Sequence, residues 1–174
     1  MEPENVLLNV YDMHWSNYLT DWLGLGCYHS AVEVYKREYA FGGGDTPKTG
    51  IFVTAPRQLE KEIEELKYKM TIFLGTTTLS EDEVQELALS LACNYSARSY
   101  HLLEKNCNHF SEDFAKRLCG VDINFPIWVN KLAAYAKTVP WLIPSTHLNP
   151  PTSPPLPENT ENACESYTSV NGKN

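Results

Sequence analysis

The sequence lacks three features that would assign it to a class at once. It has no run of about 18 apolar residues, so we expect no membrane-spanning helix. It has no basic excess, because 14 basic residues stand against 22 acidic ones, for a formal charge of −8. Nucleic acids and anionic membranes need a basic face, so we expect neither as a partner. Residues 1–4 are acidic where a secretory signal would be basic and then apolar, so we expect no such signal.

Cysteine is too irregularly spaced for a disulfide scaffold. The 174 residues contain five cysteines, an odd number, whereas small secreted domains use dense and even frameworks. We therefore expect a reducing compartment, namely the cytoplasm, with the nucleus as a second location. Hydrophobic residues make up 43% of the chain, which is enough to build the core of one folded domain.

Proline is sparse except near the end of the sequence, where six of the eleven prolines lie between positions 144 and 157. Proline fixes φ and removes a donor, and the residues that follow are polar without a period. We therefore predict a folded domain at 1–144 and a disordered tail at 145–174. Two overlapping P-x-x-P spacings would suit a polyproline ligand, but no basic residue flanks them, so a plain tail is the preferred interpretation.

Apolar periodicity predicts an α+β domain with a small, mainly antiparallel sheet packed on helices. Strands are predicted at residues 6–11, 28–35, 38–41, 67–75 and 100–103, and Lys36 with Arg37 joins the second and third as a hairpin. Helices are predicted at 57–66, at 80–91 with a capping box of Ser80 and Glu83, at 106–118 with Phe110, Phe114 and Leu118 on its apolar face, and from 126 onward with Trp128 on its apolar face. The strand at 67–75 is expected to place Tyr68, Met70, Ile72 and Leu74 on one face. Residues 14–23 are rich in aromatics and predict a short helix or a loop.

Cys107 differs from the other cysteines in its local context. It follows Asn106, a good N-cap, at the first turn of the helix predicted at 106–118. The helix dipole and the free N–H groups there favour a thiolate, and the same groups can hold an oxyanion. Cys93 and Cys119 lie near helix C-termini, which disfavour a thiolate. Cys107 is therefore the candidate nucleophile for acyl transfer, and the alternative is a small buried hydrophobe.

A nucleophilic cysteine also needs a base, and five histidines are available. His147 lies in the tail, and His14 lies in the aromatic segment. His109 is two residues from Cys107, about 200° around the helix, so its ring should not face the thiol. His29 and His101 remain, and spacing alone does not separate them.

A zinc site is a competing interpretation of these residues. The pattern C-x-H occurs twice, at Cys27 with His29 and at Cys107 with His109. The second pair cannot share one helix face, and the spacing is not that of common zinc motifs. We therefore expect no metal and no cofactor.

Three blocks of the sequence resemble the PPPDE thiol peptidases, the desumoylating isopeptidase family. They are H-S-A-V-E-V-Y at 29–35, E-Y-A-F-G-G at 38–43, and Y-H-L at 100–102 continuing to K-N-C-N-H-F-S at 105–111. With L-L-N-V-Y-D-M at 7–13, the chain looks closest to the type-two branch of the family. The resemblance covers roughly residues 5–143.

The resemblance implies a papain-like fold with circularly permuted strands, in which a histidine precedes the cysteine. It implies His29 as base and Cys107 as nucleophile, which decides between His29 and His101. It also implies ubiquitin or SUMO conjugates as substrates and a homodimer as the assembly.

A ubiquitin or SUMO tail ends in Gly-Gly and needs a narrow slot beside the thiol. The candidate walls of this slot are Trp15, Tyr18, Trp22, Gly42, Gly43, Gly44 and Asn106. For most of these residues, hairpin geometry or core packing is an equal explanation. Asp45 could orient His29, although an ordinary turn residue is the preferred interpretation.

Two other functions compete with the isopeptidase. The N-C-x-H-F block is also similar to that of the lecithin retinol acyltransferase group, so a protein depalmitoylase or a lipid acyltransferase would use the same dyad. A wide apolar groove beside Cys107 would favour that function. The other alternative is a non-catalytic binding module, which the presence of both Cys107 and His29 disfavours.

Overall fold

The fold is built on five antiparallel strands, as seen in a computed structural model that describes residues 2–13, 27–131 and 133–134. The strands, in chain order, are β1 (Glu4–Met13), β2 (Tyr28–Val34), β3 (Arg37–Phe41), β4 (Ile51–Thr54) and β5 (Leu66–Thr77). Their order in the sheet is β4-β3-β2-β1-β5, and each neighbouring pair is antiparallel. The α+β prediction is therefore confirmed.

The hairpin of β2 and β3 is confirmed, with its turn one residue earlier than expected. Tyr35 and Lys36 connect the strands and have φ values of 51° and 57°. A two-residue turn with both φ values positive matches the right-handed twist of the flanking strands. The next strand, β4, is not predicted from the sequence, because it is only four residues long and follows a glycine-rich stretch that indicates a loop.

Two register shifts change the faces of β5. The pairing passes from Val6↔Gly75 to Leu7↔Phe73, and again from Val10↔Met70 to Tyr11↔Tyr68. Each shift inserts one extra residue on β5 and exchanges its two faces. The prediction of one apolar face is therefore wrong: Leu74 is buried, but Met70 is 41% exposed.

In the described ranges, three α-helices form, and the local sequence signals for them are of unequal strength. They are α1 (Leu59–Glu62), α2 (Glu81–Leu91) and α3 (Cys107–Cys119). The capping box of Ser80 and Glu83 opens α2 as predicted. The helix predicted at 57–66 is wrong in extent, since Arg57 has a φ of 62° and only one turn forms.

Helix α3 packs its predicted apolar face against the sheet. Phe110, Phe114 and Leu118 are all buried, and the Phe110 and Phe114 rings stack 5.5 Å apart. Phe110 also lies 5.1 Å from Tyr95 and 6.2 Å from Phe41. This aromatic cluster fixes α3 over β2 and β3. The helix ends before Gly120, whose φ of 101° suits glycine.

Two further expectations near the site are corrected. Residues 100–103 form no strand; they belong to a tight loop in which His101 and Lys105 make an isolated bridge. The last helix starts at Pro126 as expected, but it opens as a 3₁₀ turn, Ile127–Asn130, and buries Val129 rather than Trp128. The tight loop and the 3₁₀ turn approach the start of α3 from two sides.

The opposite face of the sheet carries a buried polar cluster. The Glu38 carboxylate is fully buried and accepts hydrogen bonds from Asn9 Nδ2 (2.8 Å), Tyr11 Oη (2.5 Å) and the Arg57 backbone N–H (2.8 Å). These three donors keep the buried carboxylate satisfied. Tyr11 also belongs to a small apolar core on this face, with Met13, Cys27, Ala31, Ala40, Phe52, Leu59 and Leu66.

Several predictions concern residues outside the described ranges. These include the aromatic segment with Trp15, Tyr18 and Trp22, and the tail at 145–174. None of the helices within the described ranges is long and apolar enough to cross a membrane. Cys27, Cys107 and Cys119 have reduced thiols.

Candidate active site

Cys107 is placed by the way α3 begins. The Asn106 side chain accepts a hydrogen bond from the His109 backbone N–H (3.0 Å), and His109 Nδ1 accepts one from the Asn106 N–H (3.2 Å). This is a reciprocal capping box with histidine in the role usually taken by glutamate. It starts the helix at Cys107, whose side chain is 2% exposed. The thiol therefore lies at the positive end of the helix dipole.

His29 is placed by β2. It is the second residue of that strand, it is buried, and it pairs with Tyr11 of β1. Its imidazole lies close enough to the Cys107 thiol for each group to shift the pKa of the other. The structure thus brings together the two residues that the family resemblance singled out, from a strand and a helix 78 positions apart.

The charges of this pair support each other. Burial alone would raise the pKa of the Cys107 thiol, but the positive charge and hydrogen bond of His29 hold that pKa below its ordinary value. A backbone hydrogen bond from Ser30 and the Tyr100 hydroxyl act in the same direction. Burial alone would lower the pKa of His29, yet the Cys107 thiolate holds it above its ordinary value. The pair is therefore disposed towards thiolate and imidazolium.

Asn108 ties the nucleophile helix to the strand of the histidine. Its Nδ2 donates to the Tyr28 carbonyl (3.0 Å), and its Oδ1 accepts from Ser30 Oγ (2.8 Å). Tyr28 and Ser30 are the two neighbours of His29 in the chain. Nδ2 also donates to the Val129 carbonyl at 3.1 Å. The register between Cys107 and His29 is thus fixed by a buried side chain that sequence reasoning did not single out, although it is adjacent to the cysteine.

Tyr100 is a second residue that the sequence did not point to. Its hydroxyl donates to Cys107 Sγ at 3.7 Å, and the residue is buried. Burial and the nearby thiolate raise the pKa of Tyr100 well above its ordinary value, so the hydroxyl keeps its proton. Tyr100 and Cys107 do not lie in one helix or strand, so no local period connects them. Only the tight loop at 100–105 folds it back over the thiol.

One ring nitrogen of His29 has an unusual environment. Nε2 is buried and has no hydrogen-bond partner among the described residues. The Tyr11 ring lies 6.3 Å from the imidazole, and Glu38 behind it adds a further upward effect on the pKa of His29. A buried carboxylate thus acts on the histidine through space rather than by contact.

The space beside the thiol is small. A cavity of about 10 Å³ lies beside Cys107. Its lining includes apolar residues, among them Met13, Leu102 and Val129, and the polar side chains of Tyr28, Tyr100, Asn106, Asn108 and Asn130. A volume of this size holds roughly one water molecule. Of the predicted slot residues that are described, Asn106 lines this cavity, whereas Gly42, Gly43 and Gly44 do not.

The other candidates have ordinary structural roles. The Gly42 N–H donates to the Gly50 carbonyl (3.0 Å), in a contact so close that a Cβ on Gly50 would lie 2.4 Å from the Gly42 carbonyl oxygen. The Asp45 side chain is 95% exposed and pairs with Arg98, which agrees with a turn residue. His101 Nδ1 accepts from the Leu103 N–H (3.4 Å). No group of three metal-ligating side chains occurs in the part of the chain that is described.

The Cys107–His29 pair has the features of one class of site. A thiol with a lowered pKa at a helix N-terminus, beside a histidine with a raised pKa, is an arrangement suited to acyl transfer by cysteine. The chain belongs to the PPPDE peptidase family, because residues 4–147 match the family described as "PPPDE putative peptidase domain".

Similar proteins carry related names. The chain is 40% identical over 148 residues to a Caenorhabditis elegans protein named desumoylating isopeptidase 1 homolog, covering 83% of this chain and 44% of that protein. It is 34% identical over 141 residues to the Arabidopsis thaliana DeSI-like protein At4g17486, with 81% and 60% covered. It is 35% identical over 139 residues to the Schizosaccharomyces pombe DeSI-like protein sdu1, with 78% and 67% covered. The chain therefore spans less than two thirds of the first two relatives.

Proposed function

We propose that this protein is a cysteine isopeptidase that removes ubiquitin or a ubiquitin-like protein, such as SUMO, from lysine conjugates. The observation that carries the proposal is the Cys107–His29 pair, in which each partner shifts the pKa of the other towards the ion pair. A thiolate that exists before the substrate arrives needs no further base to attack a carbonyl carbon. Membership of a peptidase family and the names of the relatives support the same reaction class.

In the proposed mechanism, the Cys107 thiolate attacks the carbonyl carbon of the C-terminal glycine, which is joined to a lysine amine. The electron pair of the carbonyl moves to oxygen. When this intermediate collapses, the C–N bond breaks and His29 gives its proton to the leaving amine. Water, deprotonated by His29, then hydrolyses the thioester and restores the thiol.

We further propose a papain-like arrangement with circularly permuted strands. Its support is the chain order: β2, which carries His29, precedes α3, which carries Cys107, and α3 packs on the sheet. A cytoplasmic or nuclear location and a homodimer are further proposals that rest on the family and on the composition.

The choice between ubiquitin and SUMO rests on two considerations that point in different directions. The names of the relatives favour SUMO. The charge of −8 favours a partner with a basic face, which we take to favour ubiquitin. A palmitoyl group would need a long apolar groove, and the cavity of about 10 Å³ at the thiol is no support for one.

The test compares cleavage of ubiquitin, SUMO and palmitoyl-thioester reporters by the wild type and three variants. Cys107→Ala should abolish cleavage, and His29→Ala should reduce kcat by about 100- to 10,000-fold, the range for general acid–base groups. His101→Ala is the matched control and should keep wild-type activity. Activity that survives Cys107→Ala would end the thiol mechanism. Loss in His101→Ala with retention in His29→Ala would move the base.

A further inference from the structure

Tyr100 holds a hydroxyl against the nucleophile in a place where few groups can reach. Its O–H donates to Cys107 Sγ at 3.7 Å, and both residues line the cavity beside the thiol. The ring lies 5.2 Å from the Phe41 ring, and the Tyr100 backbone N–H donates to the Ala97 carbonyl at 3.3 Å. Ring packing and backbone bonding therefore fix where the hydroxyl points.

The start of α3 has two more donors nearby. The capping box uses the His109 N–H, and the first helical bond uses the Phe110 N–H with the Asn106 carbonyl. The N–H groups of Cys107 and Asn108 come earlier in the first turn, where no intrahelical acceptor exists. They point in the N-terminal direction of the helix axis, and the Tyr100 hydroxyl lies 3.7 Å from the sulfur of the first helical residue.

In the tetrahedral intermediate, the oxyanion is bonded to the same carbon as Cys107 Sγ. The Tyr100 O–H, which already contacts the sulfur, therefore needs only a small rotation about its C–O bond to point at the oxyanion. The cavity lined by Tyr100, Cys107 and Asn108 has about the volume of one water molecule, which is also about the size of such an oxygen.

We propose that Tyr100 is a catalytic residue whose hydroxyl, together with backbone N–H groups at the start of α3, holds the oxyanion. The proposal rests on the acyl-transfer function proposed above. As the C–S bond forms, the carbonyl electron pair moves to oxygen, and the Tyr100 hydrogen bond passes from sulfur to that oxygen without transfer of its proton. As the C–N bond breaks, the electron pair returns to the carbonyl, and the proton for the amine comes from His29.

Two lesser roles for Tyr100 must be separated from this one. The hydroxyl could stabilise the resting thiolate alone, in which case its removal would raise the pKa of Cys107 and a higher pH would restore the rate. The residue could also act only as a packing element, in which case removal of the oxygen would change stability but not transition-state binding. Only the oxyanion role predicts weaker binding of a tetrahedral adduct at every pH.

The variant Tyr100→Phe keeps the ring and removes only the oxygen. Tyr95→Phe is the matched control, because Tyr95 is equally buried, packs 5.1 Å from Phe41, and directs its hydroxyl to Asp113 Oδ2 (3.1 Å) instead of to the thiol. The measurements are kcat and KM on a ubiquitin or SUMO reporter, the inhibition constant of a peptide ending in glycinal, and the pH profile of alkylation by iodoacetamide. The aldehyde forms a tetrahedral hemithioacetal, whereas alkylation forms no oxyanion.

Tyr100→Phe should lower kcat by about 100-fold or more, with little change in KM, as expected for one oxyanion donor. The aldehyde should bind more weakly by a similar factor at all pH values, while alkylation of the fully ionised thiol stays within about twofold. Tyr95→Phe should match the wild type in all three measurements.

Unchanged aldehyde inhibition in Tyr100→Phe would overturn the proposal, and so would a kcat that recovers fully at high pH. If the wild type cleaves only a thioester reporter, the isopeptidase proposal is refuted. The oxyanion role of Tyr100 is still supported in that case if the aldehyde inhibits Tyr100→Phe more weakly than the wild type. A wild type that alkylates normally but binds no aldehyde would overturn both proposals.

Discussion

The two faces of the sheet contribute to the candidate site in different ways, one by apolar packing and the other by a buried charge. The face that packs on α3 is an aromatic core, in which Phe110 and Phe114 of α3 stack on each other and Phe110 contacts Phe41 of β3. The opposite face buries the Glu38 carboxylate among hydrogen-bond donors. Apolar packing thus positions the nucleophile on one side, and a buried charge acts on His29 from the other.

This difference has a physical reason. Packing is non-directional, so many side chains together are needed to hold one helix start in place. A charge acts over several ångströms in a medium of low polarity, so one buried carboxylate adds to the effect of the Cys107 thiolate in favouring imidazolium. Substitutions on the α3 face should therefore change stability first, whereas those around Glu38 should change the pH dependence of activity.

The largest effect is expected from Phe110→Ala. Phe110 is fully buried and touches the rings of Phe41, Tyr95 and Phe114. We expect the free energy of unfolding to fall by about 3–5 kcal/mol, the range for a large cavity left by a phenylalanine. Urea denaturation measures it. Phe73→Ala is the control, since Phe73 is 61% exposed on β5 and should cost far less.

Asn108→Ala should weaken the link between α3 and β2 at the site. It removes the partner of the Tyr28 and Val129 carbonyls and of the Ser30 hydroxyl. We expect a loss of about 3 kcal/mol, because three polar groups lose their partner and each buried one left unpaired costs at least about 1 kcal/mol. The alkylation rate of Cys107 at neutral pH should also fall.

Asn94→Ala is the comparison for that experiment, because the Asn94 side chain is exposed. It should leave both the unfolding free energy and the alkylation rate near wild type. An Asn108→Ala variant with normal alkylation would show that the Cys107–His29 register is set by backbone packing alone.

Glu38→Gln should separate charge from packing on the second face. The shape is kept but the negative charge is lost, so the pKa of His29 should fall towards its ordinary value, since Glu38 helps to hold it up. Activity needs the thiolate with the imidazolium, and it ends on the alkaline side where His29 loses its proton. The alkaline limb of the kcat/KM profile should therefore move to lower pH, with a stability loss of about 1–2 kcal/mol from mismatched donors.

Asp45→Asn should have the smallest effect and completes the comparison of a buried with an exposed carboxylate. Asp45 carries the same charge as Glu38, but its side chain is 95% exposed and pairs with Arg98 at 3.2 Å. We expect a change in stability within about 0.5 kcal/mol, as for most exposed ion pairs, and an unchanged pH profile. A moved alkaline limb would mean that solvent-exposed charge also acts on His29.

Local signals were sufficient for part of the site. The N-cap Asn106, the first-turn Cys107 and the apolar stripe of α3 follow from spacing alone, because a helix start is specified by a few adjacent residues. The choice of His29 over His101 needed the resemblance to a family. The contact between β2 and the start of α3 joins residues 78 positions apart, and no local pattern encodes such a contact.

The failures also have physical causes. The helix predicted from residue 57 starts only at Leu59 because tertiary contacts override propensity: Arg57 has a φ of 62°, and its N–H is bound by the buried Glu38 carboxylate. The strand predicted at 100–103 is a loop because the chain must turn at once to begin α3. Tyr100 and Asn108 were missed because their function depends on distances across that loop and across the sheet.

The two irregularities of β5 bear on how the sheet can pair with another strand. Among the described residues, β5 pairs with β1 on one side only, and a regular edge strand is a template for pairing with a second chain. The extra residues at Lys69 and Leu74 interrupt the even spacing that such pairing needs. Exposed Lys67 adds an unfavourable charge, whereas the Lys69 amine pairs with Asp12 at 3.0 Å. We therefore expect the bulges that break a simple alternation rule to disfavour edge-to-edge association.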